Sequence, residues 1–126
     1  MKIVHILCLG CIASLAMFAG AADGKWECGV KAPDGQVRPL VATLKAEGMK
    51  LTGTVNGMNG APDITITNGM AHGDEMVMWS AKRIAPNGAT VQFDYKGMIK
   101  GDDMELSIVR ADGQGAPMNC TAKRTK

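Results

Sequence analysis

The sequence predicts an all-β fold, an up-and-down antiparallel β-barrel of about eight short strands that follows an N-terminal signal peptide. Three observations carry this. Apolar and polar residues alternate through most of the chain, the period of two that half-buried strands require. Turn residues fall at short intervals between the alternating runs. No segment beyond the first 21 residues holds a helical period with caps at its ends.

The elements follow in chain order. Met1-Lys2 gives a positive start, residues 3–18 are mostly apolar, and Ala19-Gly20-Ala21 closes the run with small residues. These are the parts of a secretory signal, and the apolar run is shorter than the ~20 residues that span a bilayer as a helix. The expected division is a signal peptide over residues 1–21 and a single barrel domain over 22–126, located in the periplasm or outside the cell, with no transmembrane segment after cleavage. Lipoprotein processing at Cys11 is the rival reading, but Cys8-Leu9-Gly10 matches only the last small position of the required motif.

In the domain, Trp26, Cys28 and Val30 share one face of the first run. Leu40, Ala42 and Leu44 alternate in the second, Leu51, Gly53 and Val55 in the third, and Ile64 and Ile66 in the fourth. Val91, Phe93 and Tyr95, then Met104, Leu106 and Ile108, then Met118, Cys120 and Ala122 repeat the pattern. Residues 76–81 are less clean, with Met76 and Met78 on one face and Val77 and Trp79 on the other. Turn chemistry separates the runs at Pro33-Asp34-Gly35, Glu47-Gly48, Asn56-Gly57, Gly73-Asp74, Pro86-Asn87-Gly88, Gly101-Asp102 and Asp112-Gly113. Gly73-Asp74 and Gly101-Asp102 suit tight two-residue hairpins with glycine first. Eight runs joined by short links can close as a barrel or fold over as a sandwich.

The cysteines favour the barrel. Cys8 and Cys11 leave with the signal, and Cys28 and Cys120 remain, 92 positions apart, on the first and last runs. In a closed barrel those runs are neighbours, and a disulfide between them would staple the seam. On the chain-entropy argument a loop of that length stabilises by ~4–5 kcal/mol, less any strain. The alternative is a pair of free buried thiols.

An internal repeat refines the picture. Residues 68–76, Asn-Gly-Met-Ala-His-Gly-Asp-Glu-Met, return 28 positions later as Lys-Gly-Met-Ile-Lys-Gly-Asp-Asp-Met. Gly69 and Gly97 fall inside strands, where glycine permits a bulge or sharp bend.

Gly24-Lys25-Trp26, the Pro-Asp-Gly turn, Leu44-Lys45 with Gly48, Lys50-Leu51-Thr52-Gly53-Thr54-Val55, the two repeated hairpins and the closing Ala122-Lys123-Arg124 resemble small secreted calycin-like (lipocalin- or streptavidin-like) β-barrels of unknown function from environmental bacteria. The resemblance covers nearly all of the domain, rests on turn and packing motifs, and implies fold and export without assigning any functional residue. The cysteines depart from the pattern, since apolar residues are more usual at those positions.

Composition narrows the function. Loss of Lys2 from the 14 basic residues leaves 13 against 12 acidic ones, so the domain is nearly neutral and has no field to draw in nucleic acid. Trp26, Trp79, Phe93 and Tyr95 are its only aromatics, placed where a core needs them rather than as a stacking platform. The basic tip Lys123-Arg124-Thr125-Lys126 is expected to be a solvated end. No catalytic residues are identified: His72 is the single histidine of the domain, Ser80 and Ser107 lie in no nucleophile motif, and the acidic pairs Asp74-Glu75 and Asp102-Asp103 sit in turns rather than across a cleft.

No cofactor and no metal are expected. The alternative is Cu(I) or Ag(I), soft ions suited to thioether and imidazole ligands, held by His72, Met76 and Met78 beside Trp79. That stretch loosely resembles periplasmic copper-carrier barrels. The repeat opposes this reading by aligning Met76 and Met78 with Met104 and Leu106, which makes them core sites, with methionine as adaptable filler. The expected protein is a monomeric, non-enzymatic scaffold or binding module for a small apolar ligand or an envelope protein, with a mostly filled interior in which Ala42, Gly53 and Ser80 are the small inward residues. A module that binds a partner protein through its hairpin loops is the third reading.

Overall fold

The computed structural model describes residues 21–32, 34–57, 61–73, 75–84 and 87–125. The expected signal peptide, apart from Ala21, and the alternative processing site at Cys11 lie outside the described residues. The strands are β1 (Gly24–Lys31), β2 (Val37–Glu47), β3 (Lys50–Val55), β4 (Ile64–Thr65), β5 (Thr67–His72), β6 (Met76–Ile84), β7 (Thr90–Lys100), β8 (Asp103–Arg110) and β9 (Met118–Thr125). No helix among the described residues is long and apolar enough to cross a membrane.

Apart from the short β4, each strand pairs antiparallel with the next in the chain, β3 pairing with β5 past β4, and β1 pairs with β9, so eight strands close into an up-and-down barrel. The two-residue β4 is the ninth. Together with Ile66, whose N–H donates to the Gly53 carbonyl at 3.0 Å, it covers the edge of β3 that β5 goes on to cover. The break falls where the sequence is least able to run straight. Asn68 has φ +53°, the β5–β6 register shifts between Thr67 and Met70, and a Cβ on Gly69 would stand 2.1 Å from the Leu51 carbonyl oxygen. Gly69 is therefore the bend glycine that the repeat suggests. Its counterpart Gly97 lies in unbroken register, and its missing side chain makes room for Met104, whose sulfur would be 2.6 Å from an added Cβ.

The two ends differ. At one end the links are short: Gly48-Met49, residues 73–75 and Gly101-Asp102. At the other end they are longer: 32–36, 56–63, 85–89 and 111–117. Asn56-Gly57 is thus the start of an eight-residue link rather than a tight turn.

The short-link end is plugged. Arg124 lies over the Trp26 ring at 4.4 Å and donates to the carbonyls of Ala21 (2.7 Å), Asp23 and Gly101 (3.3 Å) and to the Asp102 carboxylate (3.0 Å). Trp26 Nε1 donates to the Ala22 carbonyl at 2.9 Å, and Asp23 accepts from the Ala46 N–H at 2.7 Å. A planar guanidinium with several fixed donors can satisfy this many acceptors at once, which an ammonium cannot. Of the basic tip, Arg124 is consequently not solvated, Lys123 stays exposed, and Lys126 lies outside the described residues. Arg124 closes the barrel floor, and Lys123 pairs with Asp103 at 2.8 Å. Above this floor Trp26, Val55, Val77, Trp79 and Met104 are the most deeply buried large side chains.

Three expectations about facing are corrected. Met76 and Met78 are not core sites. Val77, Trp79 and Ala81 point inward, Met76 is half-buried and Met78 exposed. The reason is one residue in a turn. His72 pairs with Met76, leaving three residues between the strands, whereas Lys100 pairs with Asp103, leaving two. One extra residue reverses every side chain of the following strand, so the repeat keeps its phase before the turn and loses it afterwards. Gly73-Asp74 is therefore not a two-residue hairpin. Ser80 is buried on the outer face, where its hydroxyl donates to Asp94 at 2.8 Å. Gly53, at φ +145°, leaves no lumenal space: a Cβ there would overlap the Thr43 carbonyl oxygen at 1.9 Å.

Candidate functional site

The barrel is filled at its floor and open at its mouth. A cavity of about 420 Å³ enters from the long-loop end, where the sequence predicts a filled interior. That is within the range of small-molecule sites, roughly 300–1,000 Å³. Val30, Leu40, Phe93, Tyr95, Ile108 and Met118 give it an apolar wall, and Ala32 and Pro39 line the rim. Each wall residue is an inward position of its strand, carried there by the alternation that buries Trp26, Ala42 and Leu106 lower down.

Two arginines complete the wall. Arg83 continues the inward series Val77, Trp79, Ala81 on β6, and Arg38 stands one step beyond Leu40 on β2. Arg83 donates to the Asn56 carbonyl at 3.2 Å and to the Tyr95 hydroxyl at 3.4 Å, and has no carboxylate partner among the described residues. Asn56 is itself fixed: its side chain accepts from the Val41 N–H at 2.8 Å and donates to the Pro39 carbonyl at 3.0 Å. The rim of β2 and β3 thereby holds the guanidinium of β6 against the phenol of β7. Tyr95 is held from behind by Trp79, with ring centroids 5.0 Å apart and near-parallel planes.

Arg38 pairs with Asp34 at 3.0 Å, yet its Nε–H is buried and meets no acceptor among the described residues. The Gln36 backbone N–H and the Arg38 guanidinium hold the Asp34 carboxyl below its usual range. Beside the mouth, Arg110 does the same for Asp112, with help from the Gln114 N–H. The arrangement is an apolar cup with fixed hydrogen-bond donors and positive charge at its upper wall.

The disulfide borders this cup. Cys28 and Cys120 are bonded, with Cα atoms 6.2 Å apart. The β1–β9 ladder runs only from Lys25↔Thr125 to Glu27↔Lys123, next to the floor. Just past the last pair the covalent bond takes over, and beyond it Val30 and Met118 face the cavity.

The candidates read from sequence lie elsewhere. His72, Met76 and Met78 are on the outer face of β5 and β6, with Trp79 turned to the opposite, inner face, so the His-Met-Met-Trp grouping is not assembled. Asp102 and Asp103 are engaged by Arg124 and Lys123, Glu75 is exposed, and Asp74 lies outside the described residues. Among the described residues no three His, Cys, Asp or Glu side chains gather at one point. Sequence reasoning missed Arg38, Arg83 and Asn56. The available signal was an arginine in phase with the inward residues at a strand end, and on β6 that phase was the uncertain one. No protein-family model, no curated protein and no solved structure matches the chain.

Proposed function

We propose that the protein is an exported, non-enzymatic binding module of calycin-like type that takes a small amphiphilic anion into the mouth of its barrel. The apolar body lies against Phe93, Ile108 and Met118, and the anionic head against Arg83, Tyr95 and Arg38. One observation carries this reading: the inward-facing Arg83 guanidinium, without a carboxylate partner among the described residues, stands in the mostly apolar wall of a 420 Å³ cavity whose other charged lining residues, Arg38 and Asp34, pair with each other. A charged group is costly to hold against apolar surface unless paired, and a ligand carboxylate would supply both the charge and the acceptor that the Arg38 Nε–H lacks. The disulfide is compatible with an oxidising compartment and so with export.

Titration with a fluorescent medium-chain fatty acid tests the reading. Saturable binding of one ligand per chain is expected. Arg83→Leu should weaken the carboxylate about tenfold to a hundredfold, the worth of a hydrogen bond to a charged group, while leaving the matching alcohol nearly unchanged. Absence of saturable binding, or equal loss for acid and alcohol, would contradict it.

A further inference from the structure

The outer face of β5, β6 and β7 carries a feature that the mouth does not use. Across these strands Met70 pairs with Met78, His72 with Met76, and Met76 with Met98. All five project outward, since their neighbours Ala71, Val77 and Ile99 are in the core. They form a grid two residues deep and three strands wide, its sixth corner filled by Lys96, which pairs with Met78. Neighbouring strands stand ~4.8 Å apart, and directly opposed residues bring their Cβ atoms within about 5.5 Å. Unbranched thioether side chains with three rotatable bonds can converge over such a grid. Met70, Met78 and Met98 are each about 40% exposed, and Met76, at the centre, is half-buried.

The chemistry is selective. Every apolar side chain of the grid is a methionine; it holds no Leu, Ile, Val or aromatic residue, although protein-docking centres are rich in aromatic anchors. The core, where adaptable methionine would be expected, fully buries only Met104 among the described methionines. Thioethers gathered on the surface beside one imidazole share a single strong preference, for soft monovalent metal ions.

We infer that the β5–β7 outer face is a binding site for Cu(I) or Ag(I), with Met76 at its centre and ligands drawn from Met70, His72, Met78 and Met98. The site differs from the grouping suggested by the sequence: Trp79 has no part in it, and Met70 and Met98 join through strand pairing that sequence spacing does not display. It is independent of the mouth and of any ligand there.

The test uses the protein with its disulfide intact, in chloride-free buffer, titrated with silver nitrate while the methionine methyl resonances are followed. Saturation at one Ag(I) per chain is expected, with the methyls of Met70, Met76, Met78 and Met98 shifting and those of Met104 and Met118 staying in place. Met76→Leu, and separately Met98→Leu, should weaken binding about tenfold or more, at least the order by which even supporting contacts tune metal affinity, with unchanged melting temperature. Met104→Leu should leave the affinity as it is. Lack of a saturable shift, shifts that spread to Met104 and Met118, or an affinity indifferent to both surface changes would overturn the site. Capture of a partner protein by this face that survives in excess Ag(I) and is lost in Met76→Leu would likewise assign it to docking and overturn the inference.

Discussion

Single residues decide where this barrel bends and how it closes. Gly69 and Gly97 occupy matching places in the repeat but answer to different neighbours. An added methyl at Gly69 meets a backbone carbonyl, which cannot move without breaking the β3 pairing; at Gly97 it meets the flexible end of Met104. Gly69→Ala should therefore cost about 3 kcal/mol or more, and Gly97→Ala nearer 1 kcal/mol, the two ends of the usual overpacking range. Denaturant midpoints of the two variants check this order. Arg124 is the other decisive residue. Arg124→Lys keeps the charge but loses the fork that reaches Asp23, Gly101 and Asp102 together, so it should destabilise nearly as much as Arg124→Ala, by about 2 kcal/mol or more for bonds involving a charged donor.

At the scale of strands and turns, the alternation of apolar residues was enough to locate most of the elements, because a strand with one buried face must show period two. It served for Leu40-Ala42-Leu44 and Met104-Leu106-Ile108. It failed on β6, where Trp79, Ser80 and Ala81 are all buried and the phase is unreadable. The repeat then misled, because a sequence offset counts residues and not the number that a turn leaves unpaired. For the same reason Arg83 was illegible as a site residue: its direction depends on the phase of β6. The disulfide was legible, since two cysteines on terminal strands have one partner each in a closed barrel. Its position past the end of the β1–β9 ladder adds a consequence. Cys28→Ser with Cys120→Ser should lower stability by up to ~4–5 kcal/mol, less any strain. Amide exchange should accelerate first at residues 28–31 and 118–121, beside the cavity, and later at the Arg124 floor.

The whole molecule is a cup with a sealed floor, and its electrostatics follow that asymmetry. Asp34 and Asp112, both at the mouth, have carboxyls held below their usual range by hydrogen bonds and arginines. Groups depressed on folding contribute stability above the unfolded carboxylate pKa, about 3.9, and lose it as pH falls through their lower folded values. Melting temperature should accordingly show no pH dependence from these pairs between about pH 5 and 8, where their contribution is complete, and decline only below about pH 4, modestly, because both carboxylates are exposed. The size of the cup makes a second demand. Each additional buried methylene is worth about 0.8 kcal/mol, so decanoate should bind about tenfold more tightly than octanoate, until the chain outgrows the cavity. The most direct measurement is a map of where such a ligand sits, from methyl resonances followed during a decanoate titration. The cup predicts saturable shifts at Val30, Leu40, Ile108 and Met118, the methyl-bearing residues of the wall, with none at Met70 or Met98 on the outer face. Shifts confined to the outer face, or no saturable shift at the wall, would contradict it.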